Sequence, residues 1–325
     1  MRAYIKIFIV SAIVCAILFL ASGASLSSVF ASEPDYNYLV VGFDDAAENT
    51  DVICIANYDT ASGGVNVFQL PRDTYYDSGT EVKKINGVFT LGRLHGNDTH
   101  DSMSALTRVV SKELGIKIHS YLGLSTKSFI TLIDAMGGVT LDFPIDISNS
   151  DGKIIYPKGS YTLCGEDALK LVRHREGYIR GDLDRLDIQK IFIRGVLKSV
   201  TRGGSMCKLL LAILKTRGIV TDFTLRDFLP LLRGGATGLK NATLSCVTLP
   251  GEAAFSKSGV SYYVLNRAAC VELFKKHFDI DSKGFDPYSR FFSESEAQFS
   301  EIYNSNTITY HEYVGDEPIE IKQLN

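Results

Sequence analysis

Three short apolar runs, Tyr38–Phe43 (YLVVGF), Val52–Tyr58 (VICIANY) and Val65–Leu70 (VNVFQL), constrain this fold more than any other feature. Such runs, rich in β-branched and aromatic residues and bounded by turn residues, are buried strands. Asp59-Thr60-Ala61-Ser62-Gly63-Gly64, between the second and third, has hairpin-turn composition, so the three runs open a central sheet. Helical periods then alternate with further strands. Thr99 to Leu114 reads as a helix with Asp98 as N-cap and Gly115 as stop. Tyr121–Leu124 is a strand, and Ser125 or Thr126 caps a helix carrying Phe129, Leu132, Ile133 and Met136. Gly137-Gly138 ends it, and Val139–Phe143 returns as a strand. Glu166–Arg173 is a short helix, and a long one runs from Asp182 to about Val200. Segments at Leu209–Leu214 and Leu225–Leu232, a strand at Leu244–Leu249 and a helix from Asn266 to Phe278 follow. The alternation predicts an α/β fold, a central mixed β-sheet flanked by helices.

The N-terminus predicts where this domain works. Arg2 and Lys6 precede an uncharged apolar run from Ile7 to Ala24, while Glu33 and Asp35 follow it. About 18 such residues just reach across the hydrocarbon core as a helix, and the flanking charges put the N-terminus inside. A cleaved secretory signal is the competing reading, with Val29-Phe30-Ala31 offering small residues for a peptidase. Both export the remainder. The expected division is a cytoplasmic stub, transmembrane anchor and spacer over 1–31, an exported domain over 32–278, and a tail over 279–325 with ten acidic against three basic residues. A net charge of −3 argues against nucleic acid as partner. Cys54 and Cys246 sit in apolar strand-like runs as inert buried thiols, and no Cys/His metal spacing occurs among the six cysteines.

Three features carry chemistry. Asp44 and Asp51 bracket the loop between the first two strands, so both carboxylates emerge at one edge of the sheet if those strands are neighbours. Two convergent carboxylates are what Mg²⁺ commonly takes from protein; aspartates also favour turns in their own right. Leu70-Pro71-Arg72-Asp73-Thr74 leaves a strand directly, with Pro71 stopping the ladder and fixing the backbone that presents Arg72. Arg72 and Asp73 are equally a surface pair. Arg173, Arg175, Arg180 and Arg185 fall within thirteen residues, with Gln189 four beyond Arg185 on the same helix face. Guanidinium groups grip phosphate oxygens in a bidentate fork, although Glu176, Asp182, Asp184 and Asp187 also balance them as a solvated loop.

These residues, taken in order, resemble the LytR-CpsA-Psr family. The resemblance rests on Leu39-Val40-Val41-Gly42-Phe43-Asp44, Thr50-Asp51, Leu70-Pro71-Arg72-Asp73-Thr74, Lys84-Ile85-Asn86, Phe129–Val139 (FITLIDAMGGV), Gly165-Glu166-Asp167-Ala168-Leu169, Val172-Arg173-His174-Arg175 and Gly181–Gln189. It implies an α/β core whose hydrophobic pocket holds a polyprenyl chain and whose mouth holds the pyrophosphate. By analogy Asp44 and Asp51 bind Mg²⁺; Arg72, Arg173, Arg175 and Arg185 bind the pyrophosphate; and Gln189 is their polar partner. Arg72, Asp73, Arg173 and Arg175 are the catalytic candidates, with Asp73 as base or as orienter of Arg72. The implied activity is Mg-dependent transfer of a teichoic acid or capsular polysaccharide onto peptidoglycan, at the cell membrane of a Gram-positive type of bacterium. The partners are the polyprenyl-pyrophosphate-linked glycan, the peptidoglycan acceptor and the cytoplasmic membrane. A lipid-binding protein without turnover and a pyrophosphate hydrolase are the alternatives. Two positions depart from the family pattern: Asn49 precedes Thr50-Asp51 and Ile188 precedes Gln189, where the family usually has Arg.

Overall fold

Successive side chains of the first strand, β1 (Asp35–Phe43), belong to different layers. Leu39, Val41 and Phe43 enter the main core, while Val40 and Gly42 face the other way and line a cavity. The same two-residue period runs through β2 (Thr50–Asp59): Ile53 and Ile55 are core, and Val52, Cys54 and Ala56 line the cavity. The structure, a computed structural model, describes residues 35–322 apart from 61, 78–82, 96–97, 144–145, 149–150, 175–181, 202–205, 225–226, 228–242, 279–290, 292–298, 300–308 and 315–316.

The remaining strands are β3 (Val65–Gln69), β4 (Ser120–Ser125), β5 (Val139–Phe143), β6 (Ile147–Ser148), β7 (Ile154–Tyr156), β8 (Gly159–Leu163), β9 (Ile219–Thr221), β10 (Leu244–Thr248), β11 (Gly251–Phe255), β12 (Ser261–Leu265), β13 (Thr309–Val314) and β14 (Glu317–Lys322). The helices are α1 (Ile85–His95), α2 (Thr99–Leu114), α3 (Thr126–Ala135), α4 (Gly165–Arg173), α5 (Asp182–Thr201), α6 (Met206–Lys215) and α7 (Arg267–Phe278). Eight strands form one sheet in the order β14-β13-β10-β3-β2-β1-β4-β9. The β1–β4 and β3–β10 pairs are parallel and the others antiparallel, so the sheet is mixed, as expected.

On one face α1, α2 and α7 supply Phe89, Leu106, Val110 and Phe274 to the main core. Opposite, α3, α4 and α5 pack with the β5–β8 hairpin around Ile133, Leu141, Leu171 and Phe192. A Cβ on Gly165 would run into the Ile130 carbonyl, so its absence lets α4 approach α3. Caps anticipated from sequence are present. Asp98 accepts from the amides of His100 and Asp101, and Gly115 ends α2 at φ 65°, where a left-handed residue closes a helix.

Across β1, β2 and β3 a ladder of amides pins the register. Asn66 Nδ2 donates to Asn57 Oδ1, Asn57 Nδ2 to Asn37 Oδ1, and Asn37 Nδ2 to the Lys117 carbonyl, at 2.9, 2.9 and 3.0 Å. A slip by one residue would turn these amides to the opposite face and strand them there.

Several elements differ from the sequence expectation, among them a helix and the strands after residue 278. Helix α1 was not anticipated, because Gly87 and Gly92 weaken its intrinsic preference; burial of Ile85, Val88 and Phe89 overrides that cost. The acidic segment after 278, expected as an appendage, adds β13 and β14 to the sheet through β10. Its Phe291 and Phe299 are buried in the main core against Tyr76 and Tyr75. Among the described residues no helix is long and apolar enough to cross a membrane; the run Ile7–Ala24 lies outside them, as do most of Leu225–Leu232.

Candidate active site

The β1–β2 connection builds the first half of the site. Gly42 pairs with Val52 but Phe43 pairs with Thr50, leaving Asp51 as the extra residue of a bulge. A bulge re-aims a side chain, and here it lets Asp51 and Val52 both line the cavity. Asp44 follows β1 directly and stands at the same end of the hairpin. Its Oδ1 accepts the Glu48 amide at 2.8 Å, and its Oδ2 accepts the Asn49 amide and Asn49 Nδ2 at 3.2 and 3.1 Å.

The loop between the two aspartates is braced from two sides. Asp45 Oδ1 accepts the Lys127 amide in the first turn of α3, at 3.0 Å. Arg93 donates to the Ala46 carbonyl, and Thr90 Oγ1 to the Glu48 carbonyl. Ala47 is held at φ 53°, a conformation that costs a side chain energy and survives where its surroundings impose it. Asn49, where the family pattern has Arg, therefore serves Asp44 as a tether. Ile188, the second departure, is buried in the core between α4, α5 and the β5–β8 hairpin.

The second half leaves β3. Pro71 accepts the amide and hydroxyl of Thr74, and Asp73 and Tyr75 exchange backbone hydrogen bonds with Tyr263 of β12. That turn presents Arg72, whose Nη1 lies 2.8 Å from Asp51 Oδ1; each side chain keeps 20% exposure. Asp73 Oδ2 is 3.8 Å from Arg72 Nε, and Asp73 Oδ1 is 3.0 Å from Lys84 Nζ. Lys84 entered the sequence reading only as part of a motif. Its role was legible only after Tyr75 and Lys84 met in a β-bridge.

Helix α4 brings Arg173, its last residue, to Asp51: Nε to Oδ2 is 3.8 Å. Gln189 of α5 is buried and donates Nε2 to the Val172 carbonyl at 3.1 Å, while its Oε1 has no hydrogen-bond partner among the described residues. Gln69 Nε2 donates to the Leu186 carbonyl, tying α5 to the sheet. Arg185, expected at the phosphate, is 1% exposed and does not line the cavity. Arg175 and Arg180 lie outside the described residues. The structure thus gathers Asp51, Arg72, Asp73, Arg173 and Gln189, with Asp44 at the same end of the sheet.

The cavity, about 280 Å³, lies between this face of the sheet and α3 to α6. Among the described residues its charged lining is Asp51 and Arg173; Ser125, Thr126 and Gln189 add polar atoms, and aliphatic, aromatic and sulfur side chains line the rest. Along β2 it runs from Asp51 to Ala56, about 17 Å of strand. Burial and the neighbouring Cys246 push the Cys54 thiol well above its ordinary pKa, so Cys54 lines the wall as an apolar group. One charged end on an otherwise apolar slot suits an amphiphile with a long tail and an anionic head.

A sequence profile described as the LytR_cpsA_psr family matches residues 22–279. The chain belongs to the LytR-CpsA-Psr family. The polyisoprenyl-teichoic acid–peptidoglycan teichoic acid transferase TagU of Oceanobacillus iheyensis is 26% identical over 251 residues, covering 74% of each chain. The Lin1025 protein of Listeria innocua superposes at a TM-score of 0.56 with 27% identity, over 76% of this chain and all of that one. A structure of TagT bound to LIIa-WTA superposes at 0.59 with 19% identity, over 78% of this chain and 94% of that one. Their fold is the central mixed sheet flanked by helices described above.

A magnesium ion asks for oxygen donors, carboxylates above all. Among the described residues no three His, Cys, Asp or Glu side chains converge on one point, which excludes an all-protein cage there. Mg²⁺ takes one or two carboxylates and leaves its other positions to water and phosphate oxygens. Asp44 and Asp51, at the same end of the β1–β2 hairpin, are carboxylates of the kind it takes. The loop amides fix Asp44 and leave Oδ1 with a single hydrogen bond.

Proposed function

We infer that this protein is a membrane-anchored transferase that moves a glycopolymer from a polyprenyl-pyrophosphate carrier to a hydroxyl of peptidoglycan. The observation that carries the reading is the apolar cavity with Asp51 and Arg173 as the charged lining among the described residues, next to Arg72. The tail lies in the slot, and the pyrophosphate lies at the charged end. Asp44 and Asp51 would hold Mg²⁺, which when bound neutralises charge on the pyrophosphate oxygens. The teichoic acid transferase named among the relatives supports the class of polymer. The apolar run Ile7–Ala24 supports a single-pass anchor with the domain outside the cytoplasmic membrane.

The chain's own groups then do the work of phosphoryl transfer, which needs positioning and charge stabilisation more than covalent chemistry. Arg72, exchanging Asp51 for phosphate, binds the oxygens of the phosphorus under attack. Arg173, with Arg175 in the same role, stabilises the leaving lipid phosphate. The acceptor hydroxyl oxygen bonds to the glycan-bearing phosphorus, and the bond from that phosphorus to the bridging oxygen breaks. The lipid monophosphate leaves with the electron pair, and the hydroxyl proton passes to water. Asp73, held between Lys84 and Arg72, orients Arg72.

The test is a transfer assay on the full chain in detergent, given a pyrophosphate-linked polyprenyl glycan and peptidoglycan fragments, with Mg²⁺ or EDTA. A sugar–phosphate–peptidoglycan product that requires the metal and disappears in Asp51→Ala is expected. Lipid bound but recovered intact would replace the transferase with a carrier protein; released glycan phosphate without a wall adduct would replace it with a hydrolase.

A further inference from the structure

From Ile188 to Thr221 the chain carries seven Lys and Arg and no Asp or Glu, although acids outnumber bases in the whole sequence. Three of the seven are held by the fold: Lys190 pairs with Asp187, Lys198 pairs with Asp142, and Arg194 is buried. Lys215, the last residue of α6, and Arg217, two residues beyond it, are exposed. The same helix completes the wall of the slot. Leu209 and Ile213, one turn apart on one face, both line the cavity. Leu211 stands about 200° around the helix axis from Leu209, and it is 45% exposed. Helix α6 thus turns apolar side chains both to the slot and to the outside, with exposed cations at its C-terminal end.

We propose that the outer face of α6 docks the domain on an anionic bilayer surface. Leu211 enters the acyl boundary while Lys215 and Arg217 reach lipid phosphates, the division of labour of a helix lying in a membrane interface. Charge selects this occupant. A second copy of the same face would set cation against cation, whereas anionic lipid complements them. The net charge of −3 makes this stretch a local exception and not part of a generally basic surface. The docking goes beyond the transfer reading; only the route of the tail rests on it. Given that reading, the wall turned to the bilayer is a wall of the tail's own slot, so a polyprenyl chain enters the protein past a single helix.

The chain has no tryptophan, so Leu211→Trp places a single fluorophore on this face. Phe255→Trp is the control, because Phe255 is 72% exposed at the end of β11. Each full-length variant, checked for folding by thermal melting, is reconstituted without polyprenyl lipid into phosphatidylcholine vesicles with or without phosphatidylglycerol, and brominated acyl chains serve as quencher. The L211W emission should shift to the blue and be quenched several-fold more than that of F255W. Quenching should fall without phosphatidylglycerol, at high salt, and when Lys215→Glu and Arg217→Glu are added to L211W. Quenching of F255W alone would move the membrane contact to the β11–β12 hairpin and overturn the proposal. A blue shift without quenching would mean that a second copy covers Leu211, and would overturn it as well. Quenching indifferent to phosphatidylglycerol and to salt would remove the cations from the docking, a result that stands even where the charge-reversed protein does not fold. Normal quenching of L211W in a protein without transfer activity would overturn the transfer reading and leave the docking in place.

Discussion

Arg72 is the residue whose removal tests most of the mechanism at once. It lies 2.8 Å from Asp51, nearer than Arg173, and it is presented by a turn pinned to β12. Arg173 does not substitute for it: its Nε stands 3.8 Å from Asp51 and its side chain is 51% exposed. Arg72→Ala therefore removes one preorganised charge donor, worth about 2–4 kcal/mol in the transition state, or roughly 30- to 1,000-fold in kcat/KM. The same change strips Asp51 of a charge-assisted hydrogen bond, about 1.5–3 kcal/mol for such groups. Both side chains are four-fifths buried, which puts the pair between surface and interior behaviour. The melting temperature should fall by several degrees, so rates belong well below it. Arg72→Lys keeps the charge and loses the fork, and its rate should lie between wild type and Arg72→Ala. The assay is initial-rate transfer at saturating and sub-saturating lipid substrate. A loss confined to KM would reduce Arg72 to a ground-state binder. Activity within a factor of a few of wild type, in a folded protein, would remove it from the chemistry.

Asp73→Asn should cost less than about tenfold in kcat, because an orienting residue survives loss of its charge, whereas a general base would cost about 10²–10⁴; a pH–rate profile stripped of one ionisation would mark the base. Asn57→Leu should lower stability by about 1–3 kcal/mol, seen as an earlier urea midpoint, because it leaves the buried amide of Asn37 and the half-buried amide of Asn66 without their shared partner. Retention of the wild-type midpoint would show that the ladder does not pin the register. Cysteine labelling followed by mass spectrometry should mark Cys164, which is exposed, at pH 8 in the folded protein. Burial pushes the Cys54 and Cys270 thiols up, so raising the pH to about 9 should not expose their thiolates; both should label only in urea.

Much of the fold is legible along the chain because its signals are local. The cap at Asp98, the stop at Gly115 and the hairpin from Asp59 to Gly64 each need only a few neighbouring residues. Helix α1 escaped that reading because its glycines oppose it and only packing rewards it. The strands β13 and β14 escaped it because an edge strand is defined by the strand it meets, and β10 lies some sixty residues earlier in sequence.

For the site, sequence alone determined the cast: two aspartates flanking one loop, an arginine leaving a strand behind proline, and a cluster of arginines ahead of Gln189. Residue types and order fix the charge a chain can bring to bear. Tertiary structure decided which of these meet. It drew Asp51, Arg72 and Arg173 together from three elements, gave Asp44 to the loop amides, and buried Arg185 away from the cavity lining. It also decided that the sheet has a second apolar face left partly open as a slot. Charge is a property of single residues, while contact and empty space exist only between residues that folding has brought together.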